Sequence, residues 1–275
     1  MTAPARRKRP MPLPPGVVRL TWLGQAGFVI EAAGVAVLID PWLSAHELRI
    51  ARPPRAADLP RTIHRLLVTH GHGDHLDLQA IAAICQRRPE LRVIVPAPLA
   101  PLVGELVPSA RIDGVQPGDR LADESLAIDV VPAWHGVAAA DGYSAGPPGQ
   151  PTPHVGYVLR LGGTVVYHAG DTVASTALIE NLRPMGIDVA LLPVNGRDFF
   201  REEAGILGNL DAAEAVRMAN AIGAATLVPM HFDMVRGNTA PVGAVADAAA
   251  RLDLPIVVIT PSRHRPIALF HGTRA

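Results

Sequence analysis

Residues 68–77 read VTHGHGDHLD, placing three histidines and two aspartates in ten positions directly after the apolar stretch HRLLV. Groups of this kind are seldom buried unless they are paired or bound to a metal. Yet the preceding residues read as a buried strand. From Asp77 to Arg88, Leu78, Ile81, Ile84 and Cys85 recur at helical spacing, so the polar cluster falls in a strand-to-helix turn. Any fold for this chain must therefore end a core strand where several titratable groups can converge. Gly71 and Gly73 separate those groups, and glycine permits a tight path with positive φ. Such a path would aim His70 and His72 to one side and Asp74 and His75 to another. Imidazole and carboxylate bind Zn, Mn or Fe at ~2.0–2.2 Å, and no thiolate is required.

Four ligands from one turn cannot close two metal shells. Other polar residues that end apolar strands are the natural partners. His135 ends LAIDVVPAWH, Asp171 follows TVVYHAG, and His231 ends ATLVPMH. Each would be delivered to the edge of a sheet.

The rest of the chain supplies the sheets. VVRLTWLG, GFVIEA and VAVLID read as an antiparallel meander, and HVGYVLRLGGTVVYHAGD as a hairpin turning at Gly162-Gly163. Helical patterns (STALIENLR, LDAAEAVRMANAIG, APVGAVADAAARLD) alternate with strands (IDVALLPV, ATLVPMH, PIVVIT, RPIALF). NGRDFFREEAGILGN reads as a loop, and so do residues 136–153, rich in Gly, Pro and Ala. No polar linker divides the chain, and no repeat of solenoid length is visible. One layered α/β domain over residues 16–275 is expected, preceded by a disordered basic, proline-rich extension over residues 1–15.

Composition narrows the function. The chain has 275 residues, 49% of them hydrophobic, enough for a large core. Its formal net charge of zero argues against broad capture of nucleic acid. A single cysteine, Cys85, excludes an internal disulfide and reads as a core thiol. No run reaches the ~20 apolar residues that cross a bilayer, and the basic start lacks a secretory apolar segment. A cytoplasmic protein acting on a small molecule is expected, with no nucleic acid partner and no membrane span. A homo-oligomer is compatible with the sequence, because the helix around VGAVADAAARL could serve core or interface.

The pattern H-x-H-x-D-H at 70–75, followed by His135, Asp171 and His231 at strand ends, resembles the metallo-β-lactamase superfamily. The likeness runs from about Val18 to His231 and takes in Asp40 at the end of VAVLID. It implies an α/β fold, a four-layer αββα sandwich of two mixed β-sheets, with a dinuclear centre at one edge. Carried onto this chain, His70, His72 and His135 would hold one divalent ion and Asp74, His75 and His231 a second. Asp171 would bridge them, and Asp40 would orient a ligand imidazole through its other nitrogen. Asp40 could also be an ordinary turn residue before Pro41. His168 reads as structural. TWLGQAGFVIE, AWHG, VYHAGDT, LLPVNGRD and VPMHFDM further resemble the branch containing L-ascorbate-6-phosphate lactonase.

That resemblance implies a hydrolase with two divalent ions, Zn or Mn first and Fe next, whose bridging water is ionised near neutral pH. The hydroxide would attack a lactone or ester of a small sugar acid, with or without a phosphate. Asp74 would carry a proton to the leaving alkoxide. Arg197, then Arg201, with Asn195 as a polar helper, would bind an anionic group; alternatively Arg197 pairs with Asp198 or Glu202 and braces its loop. Trp134 and Tyr143 could border the pocket, and Phe199 and Phe200 are expected to pack into the core rather than wall it. The competing readings are a metal-dependent phosphodiesterase acting on nucleic acid or phospholipid, a thiol-ester hydrolase with the same metals, and a metal-stabilised binding protein without turnover.

Overall fold

The structure, a computed structural model, describes residues 13–56, 59–60, 62–136, 142–146, 150–263 and 265–270. Residues 1–12 of the expected extension, and residues 137–141 and 147–149 of the expected long loop, lie outside the described residues.

Short apolar runs, alternating only in the first strand, build the first sheet. β1 (Val17–Gly24), β2 (Gly27–Ala32) and β3 (Val35–Ile39) form the expected antiparallel meander. β4 (Arg65–Leu67), β5 (Arg92–Pro96) and β6 (Arg111–Val115) then add in parallel. Along β1 to β5 the residues Leu20, Trp22, Phe28, Ile30, Val37, Ile39, Leu67 and Ile94 face the second sheet. Their neighbours Leu23, Val29, Leu38, Leu66, Val93 and Val95 face the other way. There they meet α1 (Leu78–Arg87) and α2 (Ala100–Leu106) through Ile81, Ile84, Cys85 and Val103. A strand apolar on both faces is what a sheet covered on both sides requires. Cys85 is buried in this layer, as a core thiol should be, and burial raises its pKa.

The second sheet repeats the plan. β7 (Arg120–Ala122), β8 (Leu126–Pro132), β9 (Val155–Leu161) and β10 (Thr164–His168) are antiparallel. β11 (Val189–Pro193), β12 (Thr226–Met230) and β13 (Val257–Val258) continue in parallel. The chain closes by returning β14 (Pro266–Phe270) to the first sheet beside β1. The orders are β14-β1-β2-β3-β4-β5-β6 and β13-β12-β11-β10-β9-β8-β7. Leu178 and Leu182 of α3 (Thr176–Leu182), Ala215 and Val216 of α5 (Ala212–Ala221) and Val245 of α6 (Gly243–Leu252) join the core of this sheet. The result is the expected αββα sandwich of two mixed sheets.

Two expectations are corrected here. The stretch after β11 is not all loop: α4 (Phe199–Glu203) forms there, capped by Asp198 accepting from the Arg201 amide. Phe199 and Phe200 do not enter the core; they are 67% and 82% exposed, because the short α4 turns its N-terminal residues outward. No helix among the described residues is long and apolar enough to cross a membrane.

Candidate metal centre

Strand polarity decides what gathers at one end of the sandwich. β1, β3 and β4 run in one direction in the first sheet, and β8, β10, β11 and β12 share a direction in the second. Their C-terminal ends deliver Gln25, Asp40 and His70 from one sheet and His135, Asp171, Asn195 and His231 from the other. The bonds that tie the two edges together include Val155 N to Thr69 O at 2.9 Å, the Tyr157 hydroxyl to Val68 O at 2.8 Å, His168 Nε2 to Ala26 O at 2.8 Å, and His231 N to Gln25 O at 3.0 Å.

The turn after β4 is closed by the amides of His75 and Leu76, both donating to His72 O. Its glycines do not do what the sequence suggested, since neither Gly71 nor Gly73 has positive φ. Gly71 instead lets Leu99 approach, whose Cδ2 would stand 3.3 Å from an added Cβ. Left-handed backbone falls on the site residues themselves: Gln25 (φ 51°), Asp40 (φ 43°) and His231 (φ 60°). Such conformations cost of order 1–3 kcal/mol each and persist where surrounding contacts enforce them. Asp77, the last polar residue of the turn, is structural. Its carboxylate caps α1 by accepting from Ala80 N and also accepts from Leu43 N, Ser44 N and Ser44 Oγ.

The seven candidate ligands form groups sharing one wall. His70 Nε2 lies 2.9 Å from His72 Nδ1, which lies 3.4 Å from His135 Nε2. Nitrogens bound to one tetrahedral ion at ~2.0–2.1 Å stand roughly 3.3 Å apart. Asp74 Oδ2 lies 3.3 Å from His231 Nε2 and 3.8 Å from His75 Nε2. Asp171 reaches all sides, with Oδ1 at 3.3 Å from His75 Nε2 and Oδ2 at 3.2 Å from His231 Nε2 and 3.9 Å from His135 Nε2. His70, His72, His135; His70, His75, Asp171; and Asp74, His75, His231 each present ligand atoms within 4.8 Å of one another.

Around them, the imidazoles are held by their other nitrogens. Asp40 Oδ2 accepts from His75 Nδ1 at 2.7 Å, and its carboxylate also takes Thr69 N and Thr69 Oγ1. That fixes the His75 tautomer with Nε2 facing inward. Thr69 Oγ1, its proton committed to Asp40, stands 3.1 Å from His70 Nδ1 and can accept from it. His168 is structural, as expected: Nε2 donates to Ala26 O and Nδ1 accepts from Gly170 N.

The charge pattern suits cations. Burial, then the neighbouring His75, drives the His70 pKa well below its ordinary value, and burial lowers His135 to about 3. Burial opposes charge on His75 and His231 too, but Asp171, with Asp74 and for His75 also Asp40, outweighs it. His75 is raised well above the usual range and His231 to about 9. Burial likewise opposes charge on Asp74 and Asp171. The two imidazoliums override it and hold both carboxyls below the normal range. Even so, His75 Nε2 and Asp171 Oδ1 are buried with no hydrogen-bond partner. Their 3.3 Å ion-pair contact, without a well-formed hydrogen bond, is weak compensation for burying both groups in a packed interior. A shared divalent cation satisfies both, so the residues present fit a metal.

The candidate substrate residues are placed differently. Asn195 is buried at the same edge, donating to Asn238 Oδ1 and accepting from Asn209 Nδ2. Arg197 does not pair with Asp198 or Glu202: it forms a two-pronged ion pair with Glu214, both contacts at 2.6 Å, and donates to Asn209 O. Arg201 pairs with Asp198 and also donates to Asn195 O and Asn238 Oδ1. The Tyr143 hydroxyl donates to Glu202 and accepts from Gly208 N, joining α4 to the segment that pairs Ser144 with His135. Sequence reasoning missed Gln25, whose Nε2 lies 2.6 Å from Asp74 Oδ2 and 2.8 Å from His231 Nε2. It also missed His154, whose ring meets His135 edge-on at 6.3 Å and donates to Ser144 O. Gln25 directly follows an apolar strand, whereas His154 stands before one, where the strand-end rule does not look.

This architecture, with a His/Asp-lined edge between two mixed sheets, defines a metallo-hydrolase sandwich. Residues 36–232 match a family model described as a beta-lactamase superfamily domain. The chain is 34% identical over 220 residues to a UPF0173 metal-dependent hydrolase of Pyrococcus furiosus, covering 79% of this chain and 85% of that protein. It is 34% identical over 262 residues to another from Methanopyrus kandleri, covering 89% and 97%. Among solved structures, Igni18, a metallo hydrolase from Ignicoccus hospitalis, superposes with a TM-score of 0.70 at 21% identity, covering 93% of this chain and 100% of that one. The chain belongs to the beta-lactamase superfamily, and within it to the UPF0173 metal-dependent hydrolases.

Proposed function

We propose that the protein hydrolyses a lactone or ester of a small sugar acid, using two divalent ions held by the seven side chains. The observation that carries this reading is the buried pair His75 Nε2 and Asp171 Oδ1, 3.3 Å apart without a well-formed hydrogen bond, where the ligand groups meet. His70, His72 and His135 would hold one ion, Asp74, His75 and His231 the other, and Asp171 would stand between them. When bound, such ions supply a Lewis acid for the developing oxyanion and bring the pKa of a bound water toward neutrality.

The chain's own residues do the rest. Asp40 and Thr69 hold His75 and His70 by their Nδ1 atoms, so their Nε2 atoms point inward. Asp74 keeps 21% of its side chain open to solvent, whereas Asp171 is buried, which supports Asp74 as the carboxylate that would take a proton from the attacking water and pass it to the leaving alkoxide. Arg197 and Arg201 already face carboxylates, which favours a compact substrate over the long phosphate track of a nucleic acid. A phosphate on the substrate would draw Arg197 from Glu214, with Asn195 and Arg201 shaping the same wall.

The test is a turnover screen of metal-reconstituted protein on sugar lactones, with and without phosphate, beside bis(p-nitrophenyl) phosphate. Lactone preference supports the reading. Preference for the diester overturns it in favour of a phosphodiesterase, and bound metal without turnover on any substrate favours a binding protein.

A further inference from the structure

Gln25 is 1% exposed and sits at the turn between β1 and β2, on the first sheet, facing ligand atoms that come from both sheets. Its Nε2 lies 2.6 Å from Asp74 Oδ2 and 2.8 Å from His231 Nε2, which are themselves 3.3 Å apart. Its backbone oxygen accepts from His231 N at 3.0 Å and from the Trp22 indole at 2.9 Å. Both Gln25 and His231 are held in left-handed backbone, at φ 51° and 60°. One residue thus grips the main chain of one candidate ligand and the side chain of another.

The amide orientation follows from what surrounds its far end. Gln25 Oε1 is buried without a partner. Turning the amide over would put two N–H groups in that position and an oxygen against the Asp74 carboxylate. An under-satisfied carbonyl is the cheaper of the two. Nε2 therefore donates to Asp74, and its 2.8 Å approach to His231 Nε2 is a hydrogen bond only while that nitrogen is unprotonated. Asp74 is the most exposed member of its group and lies on a turn; besides Gln25, its carboxylate is met by His231 Nε2 at 3.3 Å and His75 Nε2 at 3.8 Å, which are candidate ligand atoms themselves. A carboxylate free to rotate would cost ordering entropy each time it bound a cation.

We infer that Gln25 is a positioning residue for the second cation: its amide holds Asp74 in line with His75 and His231, so that this group, and not the all-imidazole group, depends on it. The inference rests on the two-cation reading above. Removing a partner that orients a ligand typically lowers metal affinity about 10–100-fold.

The test is a calorimetric titration of Zn²⁺ into metal-free protein, with Co²⁺ absorption as a second readout, for the parent, Gln25→Met and Gln25→Ala. Both variants keep the backbone oxygen that carries His231 and Trp22. Expected is a loss of about 10-fold or more in one equivalent, with altered Co²⁺ bands for that equivalent alone, an unchanged other equivalent and an unchanged metal-free melting temperature. Two equivalents binding as in the parent would overturn the inference. So would equal weakening of both with a lowered melting temperature, which would make Gln25 only a brace for its turn. A parent that binds no cation would instead remove the two-cation reading itself, and this inference with it.

Discussion

The two ends of the sandwich are both crowded with charge, and they are built on opposite terms. Near the start of the parallel strands, Arg65, Arg92 and Arg111 lie side by side in register. Four charges at this end find partners near solvent: Arg65 with Asp123 at 2.9 Å, Arg92 with Asp113, and Arg120 and Arg160 with Asp129 at 2.7 and 3.2 Å. At the other end, four imidazoles and one carboxylate of the candidate ligands are buried, and His75 Nε2 and Asp171 Oδ1 meet only each other, at 3.3 Å and without a well-formed hydrogen bond. The first end is complete in itself. The second is complete only with something added. Burial makes the difference, because water satisfies whatever an exposed ion pair leaves unmet and a packed interior does not.

The sharpest way to break this contrast is to remove the residue the ligand groups share. Asp171→Ala is expected to lower lactone turnover by at least about 10²–10³-fold, measured with saturating metal. Parent-like turnover would mean that the shared wall is incidental. His72→Ala should reduce bound metal by one equivalent, counted by atomic emission.

Chelation comes next. Ligand present at about 100 times its Kd stabilises by ~2.7 kcal/mol, so stripping the metal should lower the melting temperature by roughly 5 °C or more. Raising salt to 1 M acts on the arginine end instead and should move the same transition far less. If salt matters more than chelator, the two ends have been assigned the wrong way round.

Asp77→Ala separates motif from ligand. It removes the cap of α1 and three further hydrogen bonds, and should cost about 2 kcal/mol in urea unfolding. Its metal stoichiometry should stay that of the parent. Arg197→Ala should raise KM for a phosphorylated lactone about 10-fold more than for the neutral analogue. Equal effects would leave Arg197 as the partner of Glu214 alone. At the small end of the scale, Asp113→Ala should cost only ~0–1 kcal/mol, since its partner Arg92 is half exposed.

What the sequence disclosed follows the same line. His70, His72, Asp74 and His75 were legible because they occupy one strand-to-helix turn, and His135, Asp171 and His231 because each closes an apolar run. Asp40 was legible by the same rule, and the structure places it on His75 Nδ1. Gln25 was not, because its role depends on β1 meeting the loop after β12 across the two sheets, 206 residues away in sequence. Glu214 escaped as the partner of Arg197 because α5 folds back on the loop from beyond the expected neighbours. Phe199 and Phe200 were misread because burial is the default for adjacent aromatics, and only the direction of the short α4 reveals their exposure.

The most direct measurement is anomalous diffraction at the zinc edge from crystals grown with ample Zn²⁺. The account predicts two peaks, one bonded to His70, His72 and His135 and one to Asp74, His75 and His231, with Asp171 touching both. A zinc-soaked crystal with no peak at this edge, or with His135, Asp171 and His231 turned away from the turn at residues 70–75, would contradict it.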